Sequence, residues 1–127
     1  NGTSRKELTG TDSLSWRDKS WVVGLTVGRA SRAYDWNDLL RRRVINDTLG
    51  GKPVVLALAA DRASFMAFER PNATTRFALR CDSLVAATGR YALSGAGSAG
   101  RLKKVPASQE FWHSWRTFHP ATSRYAP

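Results

Sequence analysis

Gly95-Ala-Gly-Ser-Ala-Gly100 matches the G-x-G-x-x-G pattern of dinucleotide-binding loops. In such loops bare backbone N–H groups close on a pyrophosphate, between a preceding strand and a following helix N-terminus. Here Arg101-Leu102-Lys103-Lys104-Val105-Pro106 follows, which is no helix start. No acidic residue stands about 20 positions on in a suitable strand. The stretch therefore reads as a plain flexible loop, and no cofactor is expected. With Arg101 and Lys103 beside it and His113 further on, it remains the candidate place for an anion or small ligand.

The other reactive side chains are sparse. His113 and His119 are the only histidines. Six residues apart, they point to faces about 240° apart on a helix. With one cysteine, the zinc ligand sets built from Cys and His are out of reach, so no metal is expected. Cys81 follows Arg80, which would favour its thiolate, but Asp82 opposes that. It reads as a buried or incidental thiol, and an internal disulfide is impossible. No G-x-S-x-G elbow occurs, since Ala96 stands where its first glycine would be. Asp35 and Asp38 have the spacing of a helix capping box, which explains them without paired-carboxylate chemistry. No convergent catalytic set results.

Elements must hold these groups in place. Val54–Ala59 and Ser64–Phe68 are apolar runs separated by Ala60-Asp61-Arg62-Ala63. They read as an antiparallel hairpin that the rest of the chain covers. Trp21–Val27 and Ala30–Tyr34 read as strands around a Gly28-Arg29 turn. Asp35 caps a helix over 35–43 whose Trp36, Leu39 and Leu40 face the sheet. Its Arg41–Arg43 run sits at the C-terminal end, where positive charge suits the helix dipole. Val44–Asp47 reads as extended, Thr48–Gly51 as a turn, and Thr74–Leu79 as a strand after a turn at Arg70–Ala73. Leu84–Ala86 and Arg90–Leu93 flank a turn at Thr88-Gly89. Leu102–Val105 pairs briefly with an edge. Ser108 caps a second helix, 108–119, with Phe111, Trp112, Trp115 and Phe118 on one apolar face and Pro120 as its stop. The fold class is α+β, a mostly antiparallel sheet with two helices packed against it. Residues 1–20 form an irregular arm that pins Trp16, and 21–127 form a single domain. Trp16 and Trp21, free of helical core spacing, are the candidates for an interface.

Composition bounds the rest. The chain has 127 residues and a net charge of +10, which draws anionic partners. The basic residues are scattered, and only Arg41–Arg43 is a run. A solvated basic surface explains them better than a nucleic-acid footprint. No apolar stretch reaches the roughly 20 residues of a membrane helix. There is no signal peptide and no initiator Met before Asn1-Gly2-Thr3. A processed or excised piece of a longer chain is expected.

Three stretches in order carry a resemblance: Trp21-Val-Val-Gly-Leu with Ala30-Ser-Arg-Ala-Tyr34, then Val44-Ile-Asn-Asp-Thr-Leu-Gly-Gly-Lys-Pro-Val-Val55, then Gln109-Glu-Phe-Trp-His-Ser-Trp-Arg-Thr-Phe-His-Pro120. Together they resemble a prokaryotic family known only as domain of unknown function 3179, over about residues 21–122. Usual members carry a Tyr-Cys-Pro-Leu-Cys-like stretch after the Pro-Val-Val strand. This chain has Ala57-Leu-Ala-Ala-Asp-Arg-Ala-Ser64 there, so no functional residue is carried over. The resemblance is to the cysteine-lacking C-terminal repeat of membrane-anchored tandem members. It implies an extracytoplasmic domain, a membrane attachment through a segment outside this sequence, and a cysteine-bearing repeat of the same protein as partner.

Three functions from different classes follow, the third being nucleic-acid binding through Arg41–Arg43 and Lys103-Lys104. The first is a non-catalytic structural or interaction domain, marked by an exposed aromatic patch. The second is a small-ligand or anion binder, or an enzyme, with a deep pocket near Gly95–Lys104 lined by Arg101, His113 and a carboxylate, Lys103 being a further binding candidate.

Overall fold

A computed structural model describes residues 15–97 and 100–126. The first hairpin forms as the sequence predicts. β1 (Trp21–Val27) pairs antiparallel with β2 (Ala30–Asp35), Val23 opposite Tyr34 and Val27 opposite Ala30. Gly28 takes the turn at φ +58°, a conformation that costs a glycine little. Asp35 then caps α1 (Trp36–Arg42), its carboxylate accepting from the Asn37 N–H. Leu39 is fully buried, and Trp36 and Leu40 pack against the same core. The expected capping box is not made by Asp38. Its carboxylate accepts instead from Arg41 and Arg42, three and four residues on, where side chains on one helix meet.

The middle of the fold is β3 (Val44–Leu49), β4 (Lys52–Leu58) and β5 (Phe65–Glu69), an antiparallel sheet with β4 at its centre. β3 runs through Thr48 and Leu49, so the expected turn shrinks to Gly50-Gly51, both at positive φ. Residues alternate along a strand, and in β4 both faces are buried. Val54, Leu56 and Leu58 join Val23, Leu25, Tyr34 and Leu39 on one side. Val55 and Ala57 join Phe68, Phe77, Leu84 and Tyr91 on the other. That is why the run is continuous rather than alternating.

The expected strand Thr74–Leu79 is mostly loop, and only β6 (Ala78–Arg80) is strand. Side chains take the place of the ladder. Asn72 accepts from the N–H and hydroxyl groups of Thr74 and Thr75. Asn46 bonds both the N–H and the C=O of Phe77. β7 (Ser83–Ala86), β8 (Gly89–Ala92), β9 (Ala96–Gly97) and β10 (Gly100–Arg101) complete a second sheet, in the order β10-β9-β8-β7-β6. The described part of Ser94–Gly100 is thus paired and packed, not a plain flexible loop. Gly95, at φ +94°, lies so close to Phe68 that an added Cβ would stand 2.9 Å from the ring. Residues 103–105 then run along β5, with Lys104 opposite Phe68.

The largest correction is at the second helix. Residues 107–111 are a strand, β11 (Ala107–Phe111), paired antiparallel with β1. Only α2 (Trp112–Phe118) is helical. Ser108 does not cap it; its hydroxyl donates to Glu110. The free N–H groups of Trp112 and His113 donate instead to the carbonyls of Ser20 and Asp18. β1 otherwise offers an unpaired edge, and that long-range pairing overrides the helical pattern. Trp112 and Trp115 are buried against Val22 and Ala33, while Phe111 and Phe118 point out. β12 (Ser123–Arg124) closes the first sheet, parallel to β2, giving the order β11-β1-β2-β12. The layers are therefore α2, the β1 sheet, the β4 sheet and the β7 sheet, with α1 against the first two sheets. The fold is α+β, as expected, but spread over three sheets among the described residues.

Candidate functional site

Arg101 and Lys103 do come together. They line an open cleft of about 370 Å³ with Glu69, Arg70 and Tyr91. Each of its cations has a partner within the fold. Arg101 donates to the Ser94 carbonyl, and Lys103 lies 3.7 Å from the Glu69 carboxylate. Arg70 is buried and donates to the carbonyls of Asp47, Val54, Ala73 and Thr75. His113 is not part of it. It stands in the first turn of α2, its Nδ1 4.0 Å from Asp18. His119 stacks on Trp115 with centroids 3.8 Å apart. Among the described residues no three His, Cys, Asp or Glu side chains converge to hold a metal ion.

Cys81 is exposed rather than buried, at the two-residue turn between β6 and β7. Tyr34, Asp47 and Arg32 form one connected polar group. The Tyr34 hydroxyl donates to Asp47 at 2.6 Å, and Arg32 donates to the same oxygen at 2.7 Å. Burial, and then the bond to Asp47, hold the Tyr34 pKa far above the usual phenol value. Tyr34 thus remains a protonated donor and joins β2 to β3. Arg32 also donates to Ser123, tying β12 to β2. This is a structural lock.

Besides Phe118 on α2, the exposed large apolar side chains lie at the start of β1. Trp21 and Phe111 are cross-strand partners, stacked at 4.3 Å between centroids. They are 45% and 40% exposed. Next to them, Arg17, Lys19, Ser20, Trp21, Trp36 and Asn37 line a cleft of about 330 Å³. Trp36 is held from behind by Phe65, edge to face at 6.1 Å. On the far side of the β1 sheet, Trp16 meets Trp112 edge to face at 5.0 Å, under the Arg124 guanidinium. Of the two interface candidates, Trp16 is packed within the fold and Trp21 faces outward. Of the expected arm, residues 15–20 are described, with Ser15 buried and Trp16 against Trp112; residues 1–14 lie outside the described residues.

Sequence reasoning missed Phe111, Trp36 and Lys19 as members of this surface. Phe111 and Trp36 were assigned to buried helix faces. For Phe111, the alternation Ala107, Gln109, Phe111 was the available signal, and it means a face only if the segment is a strand. Lys19 carries no signal without the cleft.

The model of the family described as Protein of unknown function (DUF3179) matches residues 7–122. The chain belongs to that family. No match was found among curated proteins or among solved structures.

Proposed function

We propose that this member of the family is a non-catalytic interaction domain, which docks through its Trp21–Phe111 face onto a cysteine-bearing repeat of the same full-length protein. One observation carries the reading. Two large stacked aromatic rings stand outside the core beside a second indole, Trp36, at the edge of the β1 sheet. Aromatic anchors of this kind concentrate binding energy at the centre of interfaces. The choice of partner is supported by the resemblance to a repeat without the paired cysteines, Cys81 being alone. With it goes an extracytoplasmic location and attachment to a membrane through another segment. No helix among the described residues is long and apolar enough to cross one. No observation favours a small-ligand site at Gly95–Lys104 over this reading.

The test is calorimetric titration of the purified chain with a cysteine-bearing repeat from the same gene. Saturable binding is expected, with Trp21→Ser and Phe111→Ser each weakening it at least about tenfold. Absence of binding, or binding indifferent to both substitutions, overturns the proposal.

A further inference from the structure

β1 ends on a different chemistry from the one it starts with. Trp21 and Val27 are the two ends of the strand, about 20 Å apart along extended chain. Two turns meet at the far end, Gly28-Arg29 after β1 and Gly50-Gly51 before β4. A Cβ on Gly50 would stand 3.0 Å from the Val27 carbonyl oxygen and 3.1 Å from the Ala30 Cβ, so the turns touch. Lys52 opens β4, and the carbonyl of the next residue, Pro53, accepts from the Arg70 N–H. Arg70 leads into the cleft lined by Arg101 and Lys103. Arg76 lies close enough to Arg70 that its charge, after burial, lowers the Arg70 pKa. One end of the molecule thus gathers Arg29, Lys52, Arg76, Arg101 and Lys103, all at exposed positions.

Carboxylates offset little of this charge. Of the acids on the strands that lead here, Asp47 serves Arg32 and Tyr34, and Glu69 lies 3.7 Å from Lys103. Arg101 donates to a carbonyl, which is neutral. Among the described residues, Arg29, Lys52 and Arg76 meet no carboxylate. The charged groups of residues 1–14, Arg5, Lys6, Glu7 and Asp12, cancel, so the net charge of +10 is carried by residues 15–127. Tyr91 in the cleft is buried and offers no ring for a nucleic-acid base to stack on.

We propose that this end of the domain rests on an anionic phospholipid surface, its guanidinium and ammonium groups meeting headgroup phosphates. Two turns side by side reach a flat surface together, and each basic side chain held near such a surface strengthens the association about fivefold. The contact is peripheral, and no side chain enters the hydrocarbon. It goes beyond the interaction reading and does not depend on it, because the Trp21–Phe111 pair stands at the opposite end of β1.

The test is cosedimentation of the whole chain with vesicles of equimolar phosphatidylglycerol and phosphatidylcholine, and with vesicles of phosphatidylcholine alone. Binding to the anionic vesicles only is expected, weakening as salt is raised. Arg29→Gln with Lys52→Gln should weaken it at least about tenfold. Arg62→Gln with Arg80→Gln removes the same charge from exposed positions at the other end of β4, where Asp82 accepts from the Ala60 N–H. That pair should cost less than about threefold, since the attraction fades within a Debye length. No binding, or equal binding to neutral vesicles, overturns the proposal. So do equal losses in the two paired variants, which would leave net charge as the whole cause. Tighter binding to duplex DNA through Arg29 and Lys52 also overturns it, making nucleic acid the occupant. Trp21→Ser should leave vesicle binding within about twofold; its loss there would move the contact to the aromatic face, and the proposal falls. If vesicles bind as expected and the cysteine-bearing repeat does not, the interaction reading falls and this one stands.

Discussion

Asp61 illustrates how much one exposed carboxylate can organise. It accepts from the Ser64 hydroxyl, then from the Ser64 and Ala63 N–H groups, and these bonds lower its pKa from 3.8 to about 2. A depressed carboxyl pKa adds stability above its unfolded value, and that contribution is lost as pH falls through the folded value. The β4–β5 turn should therefore keep its bonds at pH 3 and lose them near pH 2. An NMR titration of the Asp61 carboxyl should show a midpoint near 2, moving toward 3.8 in Ser64→Ala; an unmoved midpoint would refute the assignment. Cys81 and Asp82 lie at φ +48° and +60°. Asn tolerates that region better than Cys. Cys81→Asn should raise stability by about 0.5 kcal/mol in urea unfolding. The four-residue turn around Asp61 was legible in the sequence. The strained Cys81-Asp82 turn was not, because nothing local marks a left-handed cysteine.

Elements obeyed local chemistry wherever their partners were local. β1, β2 and α1 follow from a glycine turn and an aspartate cap. Asp35→Ala removes that cap and the bond Asp35 accepts from the Ser15 hydroxyl; thermal or chemical unfolding should show a loss of about 1–2 kcal/mol. Where α2 lies on the β1 sheet, contact is close enough to exclude a methyl group. A Cβ on Gly24 would stand 2.3 Å from the Trp115 ring. Gly24→Ala should cost about 2–3 kcal/mol as the helix is pushed off the sheet, and a cost near zero would show that the layers are not in contact there. Residues 107–111 departed from their helical pattern because pairing along β1 satisfies more backbone groups than one extra turn of helix could. Thr74–Phe77 stayed irregular because Asn46 and Asn72 supply its backbone partners.

At the scale of the whole molecule, the β4 sheet is buried between two others and Arg70 fastens its margin. Its guanidinium serves carbonyls on β3, on β4 and in the loop at 73–75. Arg70→Met should cost about 3 kcal/mol, because buried acceptors lose their donors. Arg101→Met, at the surface, should stay within about 0.5 kcal/mol. Equal effects would contradict the clamp. The sequence alone determined the fold class, the first and central hairpins, the first helix, and the family, since each depends on neighbours within a few residues or on pattern preserved along the chain. Tertiary structure decided which aromatic groups were left uncovered. Phe111 stands beside Trp21 only because β11 pairs with β1 about ninety positions away. Side chains with identical local patterns are buried or exposed according to what packs over them, and that covering is made by segments distant in the chain.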